Sequence, residues 1–298
     1  MENARLKVFR AVAKHLNFRM ASEELFLTQP AITQQIKALE EEVGAPLFDR
    51  SKGRVALTQH GVVLLGYAEQ LKRTVDEAVE ALAAIGGAHG GELSIGASQT
   101  IAQYLLPRIV AGFLKEHPRV SMQIHSGNTD EMLDMLAEHK IQLALIEGPP
   151  LRADVKTTPF MEDEMVLIVP PRHPWAKKTI DLATFREAPL LTREHGSGSR
   201  RVVEQALRQA GVNLHTMHVA MTFDSTESLM SAVAAGLGVA FVSQLAAKNQ
   251  LKLGTIALSR VSGLALSRTF MVACPAGPAP HGNAGAFHQF LTQAVLPR

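Results

Sequence analysis

Gln29, Thr33, Gln34 and Lys37 stand close together in the chain and bring amides, a hydroxyl and an ammonium group, with no carboxylate among them. Such a set suits DNA: glutamine bonds adenine through two hydrogen bonds in the major groove, threonine meets either partner or a thymine methyl, and lysine serves phosphate or guanine. A second set sits where helices are expected to begin: Ser98, Gln99 and Thr100; Asn128 and Thr129; Gly196, Ser197, Gly198 and Ser199; Ser225 and Thr226. Helix N-termini offer unpaired N–H groups and partial positive charge, so a small anion is the natural guest. Arg193, Arg200 and Arg201 stand near enough in sequence to neutralise it. Ordinary N-capping explains any one of these starts, but less readily why they all follow strand ends, where open α/β sheets bind ligands.

Catalytic motifs are missing. The sequence has no P-loop, no G-x-S-x-G elbow, no H-E-x-x-H and no Cys–His nucleophile pair. His215 and His218 lack a third ligand, and the 12 histidines form no cluster along the chain. The single cysteine, Cys274, excludes an intrachain disulfide and a Cys-rich zinc site, and reads as a small buried hydrophobe. Neither an enzyme nor a bound metal or cofactor is expected.

The reader residues need a scaffold. Leu6, Phe9, Ala13 and Leu16 recur at helical spacing, Asn17 caps a short helix from Phe18 to Leu25, and Thr28 caps a third with Pro30 in its first turn. On that third helix Ile32, Ile36, Leu39 and Val43 form the apolar stripe, which turns the amide and hydroxyl residues to solvent. Gly44 ends the helix. A turn at Ser51 to Gly53, followed by Val55 to Leu57, reads as a small hairpin wing carrying Arg50, Lys52 and Arg54 beside a phosphate backbone.

Composition agrees with this division. The 298 residues fill roughly two ordinary domains, and 46% hydrophobic with 19% charged residues excludes a disordered or collagen-like chain. No apolar run is long enough for a membrane span and the start lacks a secretory signal, so a cytoplasmic protein is expected. The net charge of +2 falls wholly within the first 60 residues.

Ala31 to Glu40, preceded by Leu25 to Pro30 and followed by Gly44 to Arg50 and by Leu57 and Thr58, closely resembles the winged helix-turn-helix of LysR-type transcriptional regulators. The resemblance runs through most of residues 1–66. Carried over position by position, it implies base contacts from Gln29, Pro30 and Thr33, with Gln34 and Lys37 flanking, and backbone contacts from Arg50, Arg54 and Thr58. Asn17, Met20 and Thr33 depart from the family's commoner Ser, Ala and Ser; the extra methyl of Thr33 bears on the preferred base.

Beyond Gly61, the positions Leu64, Ala68, Leu71, Val75, Ala78, Leu82 and Ile85 keep a heptad spacing. A helix of about 42 Å with so narrow a stripe suits pairing with a second chain, so Leu64, Leu71, Val75 and Leu82 are expected at a dimer seam, and a two-fold repeated double-stranded DNA target follows. Gly86 to Gly91 reads as a flexible joint. The resemblance adds that such chains commonly assemble as tetramers and contact RNA polymerase when activating.

From Glu92, strands and helices alternate in two similar sets, with the Pro-rich stretch Val169 to Pro174 between them and a returning strand at Arg268 to Ala273, so the chain is expected to cross twice between two hinged lobes. The resemblance implies a periplasmic-binding-protein-like α/β effector domain. The expected division is a winged helix-turn-helix at 1–58, a linker helix and hinge at 59–91, and an effector domain at 92–298 whose lobes are 92–163 with 269–298, and 164–268. Ser98, Gln99, Thr100, Thr129, Arg193, Gly196, Ser197, Gly198 and Thr226 are the expected effector contacts. Ile95 to Pro107, Asn128 with Thr129, Ile146 to Pro149 and Arg193 to Gly198 are similar to regulators of sulfur assimilation and of Calvin-cycle genes, which implies sulfite, sulfate or a phosphorylated or carboxylated metabolite as effector. The rival classes, a solute-binding protein or a metabolic enzyme using the same cleft, would lack the DNA reader.

Overall fold

Asn3, Asn17 and Thr28 accept bonds from backbone N–H groups and so begin three consecutive helices, α1 (Ala4–His15), α2 (Phe18–Leu25) and α3 (Gln29–Val43). Each cap satisfies donors that the first turn leaves without intrahelical partners. A computed structural model describes residues 3–50, 54–85, 90–148, 150 and 152–293, and the chain divides into two compact units, Met1–Ala88 and His89–Arg298.

In the first unit Ile32, Ile36 and Leu39 are buried against Phe9, Phe18 and Phe48, whose rings pack tilted or edge-on. Val43, expected to continue this stripe, is 42% exposed because the last turn of α3 runs past the core. Strands β1 (Phe48–Asp49) and β2 (Ala56–Leu57) pair antiparallel as the wing, with Phe48 opposite Leu57. The expected turn at 51–53, and Lys52 with it, lies outside the described residues. Helix α4 (Gln59–Ile85) starts against this wing so closely that a Cβ on Gly61 would stand 2.2 Å from the Leu47 carbonyl oxygen. Its Leu64, Leu65 and Ala68 join the reader's own core, whereas Leu71 and Leu82 are 53% and 62% exposed. The heptad stripe therefore divides: its first two positions pack within the chain, and the unpartnered part begins at Leu71.

The second unit opens with β3 (Gly91–Ser98), α5 (Gln99–Tyr104), α6 (Leu106–Glu116), β4 (Val120–Gly127), α7 (Thr129–Ala137) and β5 (Leu143–Glu147). The single helix expected over Ile101 to Glu116 is two, broken at Leu105 just before Pro107. Strand β3 pairs parallel with both β4 and β5. Phe113 and Phe287, edge-on at 5.0 Å, centre this lobe's core.

The long β6 (Val155–Val169) then carries the chain into a second lobe: β7 (Thr179–Ile180), α8 (Leu182–Arg186), β8 (Leu190–Arg193), α9 (Gly198–Gln209), β9 (Val219–Phe223), α10 (Thr226–Ala234), β10 (Ala240–Ser243), α11 (Gln244–Leu253) and β11 (Ala257–Val261). Strand β12 (Leu266–Pro275) returns, and α12 (Gly282–Gln293) packs on the first lobe's core. The crossings are β6 and β12, paired antiparallel from Leu266 opposite Met165 to Pro275 opposite Val155. Their outer edges belong to different lobes, since β12 pairs with β5, and β6 with β10 and β11. The Pro-rich stretch after Val169, expected between the lobes, instead follows β6 into the second lobe. Pro159, which cannot donate to a ladder, sits where the β12 register shifts at Phe270 and Met271. Cys274 is buried, and burial pushes its thiol pKa up against the pull of Lys156, as suits a packing residue.

Candidate functional sites in the two units

The N-terminal half of α3 presents Gln29, Pro30, Gln34 and Lys37 to solvent around a shallow concavity that Thr33 also lines. The geometry that buries Ile32, Ile36 and Leu39 turns Pro30, Gln34 and Lys37 away by about 100° or more, whereas Gln29, seven residues before Ile36, is exposed because it is the first residue of the helix. The Thr33 hydroxyl donates to the Gln29 carbonyl oxygen at 3.0 Å, which leaves its methyl free to face outward. Lys37 is 3.9 Å from Glu41, a contact of two exposed side chains that holds it weakly.

Arg50 lies 4.4 Å from the centre of the Phe18 ring and 3.8 Å from Glu40, so it is propped beside α3 rather than free. Glu40 also accepts from the Leu47 and Phe48 N–H groups at 2.8 and 3.2 Å and ties the wing to α3. Arg54 is exposed. Thr58 departs from its expected part: its hydroxyl donates to the Pro46 carbonyl at 2.7 Å and accepts from the Gly61 N–H at 3.0 Å, so it caps α4 and has no free donor for a phosphate.

In the second unit, the strand ends converge between the lobes. Of the helix starts singled out from sequence, three are occupied by capping. Asn128 and Glu131 form a reciprocal capping box, Ser197 accepts from the Arg200 N–H, and Ser225 from the Ser228 N–H. Ser98 makes no such cap. Its hydroxyl donates at 3.1 Å to Glu147, the last residue of β5.

Glu147 is the centre of the site, and sequence reasoning passed over it. It is 4% exposed. Its other oxygen accepts from Ser199 on α9 at 2.6 Å and from Arg268 on β12 at 2.6 Å. Arg268, in turn, donates at 2.7 Å to Asp163 on β6, which also accepts from Ser243 at the end of β10. Five strands and a helix thus meet at two carboxylates and one guanidinium. Burial opposes the charge on Glu147, but Arg268, the hydroxyls of Ser199 and Thr100, and Arg193 together outweigh it and hold its pKa below the usual carboxylate value. For Asp163 the balance reverses: burial dominates, the nearby Glu147 adds to it, and its pKa is raised despite Arg268 and Ser243.

Signals for this cluster exist in the sequence. Glu147 ends an otherwise apolar run, Leu143 to Ile146, and Arg268 keeps phase with the inward-facing Leu266 and Phe270. A charge at such a position has to be paired.

Around this centre the lobes are held on both flanks. The Asp130 N–H donates to the Gly196 carbonyl at 3.3 Å, and Arg201 reaches Asp130 at 2.7 Å. Gly196, at φ 86°, has the Asn128 side chain within 3.0 Å of where a Cβ would stand. On the other flank Gln99 donates to the Asp224 carbonyl at 2.6 Å, and Tyr104 donates to Glu227. Arg193 bonds Glu194 through two nitrogens, at 2.8 and 3.0 Å, and Thr226 at 2.7 Å. Thr129 is fully buried and its hydroxyl has no partner. The nine residues expected to touch an effector lie near the lobe junction; Arg193 bonds Thr226 within the set, Ser98, Gln99 and Ser197 are engaged with neighbours outside it, and Thr129 is left without a partner. Among the described residues no group of acidic, histidine or cysteine side chains is arranged to hold a metal, and no helix is long and apolar enough to cross a membrane.

Comparison with known proteins gives this geometry a lineage. Residues 4–62 match the description "Bacterial regulatory helix-turn-helix protein, lysR family", and residues 86–296 match "LysR substrate binding domain". The HTH-type transcriptional regulator CfxR of Cupriavidus necator is 38% identical over 269 residues, covering 90% of this chain and 84% of the relative. A probable RuBisCO transcriptional regulator of Cyanophora paradoxa is 35% identical over 271 residues, with 90% and 84% covered. Among solved structures, full-length CbnR in complex with its target DNA superposes with a TM-score of 0.69 at 22% identity, over 98% of this chain and 99% of that one, a likeness of fold. With a helix-turn-helix reader, a substrate-binding unit of two lobes, and relatives named as transcriptional regulators matched over nine-tenths of its length, the chain belongs to the LysR family of transcriptional regulators.

Proposed function

We propose that this regulator reads a two-fold repeated promoter site of Calvin-cycle type through α3 and changes its grip on DNA, or its contact with RNA polymerase, when a small anionic metabolite binds between its lobes. The observation that carries the reading is the outward face of α3, where Gln29, Pro30, Thr33 and Gln34 bring amides and a hydroxyl beside the single cation Lys37. Gln29, Pro30 and Thr33 meet base edges, Gln34 and Lys37 flank them, and Arg50 and Arg54 lie along the phosphates. Two chains pair along the stripe of exposed Leu71 and Leu82 with half-buried Val75 between them, and pairs assemble further into a tetramer. Leu64 acts indirectly, by fixing α4 to the reader.

The functional parts follow as a reader at 1–58, a linker segment at 59–91, of whose expected joint residues 86–89 lie outside the described residues, and lobes 92–163 with 269–298, and 164–268. For the effector, support comes from hydroxyl and guanidinium donors around Ser98, Thr100, Thr129, Arg193 and Thr226, beside the first turn of α9 at Gly196, Ser197 and Gly198, with Gln99 at the rim. Working on DNA places the protein in the cytoplasm. The reading calls for no reaction, metal or cofactor.

The test is a fluorescence-anisotropy titration of promoter DNA with Gln29→Ala and Thr33→Ala combined. Preference for the specific site should vanish, a loss of about 10-fold or more, while weak salt-dependent binding persists. Unchanged specificity would refute the base-reading assignment.

A further inference from the structure

We infer that Glu147 is a tethered occupant of the effector cradle: its carboxylate sits where a free carboxylate or similar oxyanion binds, holds the lobes together without any small molecule, and is displaced when the effector arrives. The inference rests on the reading of the lobe junction as the effector site, and it names what fills that site beforehand.

Three observations point the same way. First, the Glu147 side chain leaves the end of β5 in one lobe and receives a hydroxyl from each lobe, Ser98 at 3.1 Å and Ser199 at 2.6 Å, so the carboxylate bridges the junction as a ligand would. Second, Ser199 lies in the first turn of α9, a 12-residue helix whose N-terminus favours negative charge. Gly198 at that turn admits the glutamate, for a Cβ there would stand 2.7 Å from the Glu147 Cβ and its carbonyl oxygen.

Third, the site holds more hydrogen-bonding capacity than Glu147 uses. The hydroxyl of Thr129, 2.7 Å from the same Gly198 Cβ position, is buried without a partner, and so is one terminal nitrogen of Arg268, whose side chain is 1% exposed. Buried polar groups are rarely left unbonded. An oxyanion with more acceptor atoms than one carboxylate would satisfy both, which gives it the advantage needed to displace a group already tethered in place.

Chemical rescue tests this in the full-length chain. Glu147→Ala deletes the atoms of an acetate ion and leaves a cavity of that shape. Acetate or formate, against chloride at equal ionic strength, should then raise the thermal midpoint of E147A saturably, by about 3–6 °C at roughly ten times the dissociation constant. The unsubstituted chain and Glu147→Gln, whose cradle stays filled, should not respond. A folded E147A that ignores both ions overturns the inference.

If E147A does not fold, Ser199→Ala decides. Losing the second lobe's hydroxyl should speed amide exchange in the first turn of α9 by about 10-fold, and unaltered exchange there overturns the inference. Rescue of E147A with no response of the unsubstituted chain to any oxyanion metabolite would uphold the tethered occupant and sink the effector reading. Metabolite binding without rescue would do the opposite.

Discussion

Replacing Arg268 with leucine should destabilise the second unit, because it removes the cation that pairs two buried carboxylates. The guanidinium bonds Asp163 at 2.7 Å and Glu147 and Ser199 at 2.6 and 2.8 Å, and removing it strands two carboxylates that are 6% and 4% exposed. A buried charge deprived of its partner costs about 3–5 kcal/mol. The cost has a ceiling, because a stranded carboxylate takes up a proton instead. From its ordinary value of 3.8, protonating Asp163 at pH 7 costs about 4 kcal/mol, at about 1.4 kcal/mol for each pH unit.

That ceiling fixes the pH signature. In the unsubstituted chain Glu147 has a depressed pKa, so its stabilisation is present above its unfolded value of 4.5 and is lost as pH falls through the folded value. In Arg268→Leu the carboxylates have raised values, so the variant's deficit is full at neutral pH and shrinks on acidification, by up to about 1.4 kcal/mol per pH unit for each group that protonates. The assay is urea unfolding followed by Trp175, the only tryptophan, which packs against the second lobe's core. Arg268→Leu combined with Glu147→Gln and Asp163→Asn should recover most of the loss, since exchanging a whole buried ionic group for neutral side chains is often harmless. A single variant within about 1 kcal/mol of the unsubstituted chain, or a deficit that does not shrink between pH 7 and 5, would refute the account.

Three further outcomes are expected. Leu71→Glu with Leu82→Glu should convert the assembly to smaller species in light scattering while altering the stability of the single chain by less than about 0.5 kcal/mol, because both side chains are more than half exposed within it. Gly198→Ala forces a methyl to within 2.7 Å of Glu147 and Thr129 and should cost about 1–3 kcal/mol by thermal unfolding, with no loss of DNA affinity in the reader. Glu40→Ala frees the Leu47 and Phe48 N–H groups and removes a prop of Arg50, so it should destabilise the reader by about 1–3 kcal/mol and weaken binding to all DNA sequences alike.

The reader was legible because its helices declare themselves locally: Asn17 and Thr28 cap, Gly44 stops, and the spacing from Ile32 to Leu39 fixes which residues face out. Leu64 and Ala68 misled because a heptad spacing is satisfied equally by a partner chain and by the reader beside it. In the second unit the helix starts were visible, but most proved to be ordinary caps, while the centre at Glu147, Asp163 and Arg268 was missed. Its members lie 16 and 105 residues apart along the chain, and only the pairing of β5, β6 and β12 unites them. The crossing strand β6 escaped for another reason: its first ten residues carry Pro159 and three acidic side chains and lack the alternation that marks a half-buried strand.

Leu64 and Ala68 anchor the start of α4 in the reader's core, so the direction in which the helix leaves is fixed against the reader. Should two chains pair along α4 from Leu71 onward, as proposed, the angular phase between their readers would be set by the number of residues between Ala68 and Leu71. One inserted residue would swing each reader about 100° around its helix axis, out of step with the DNA groove. Seven would restore the phase and lengthen each arm by about 10 Å, so on that proposal the spacing of operator half-sites would be a length encoded along α4.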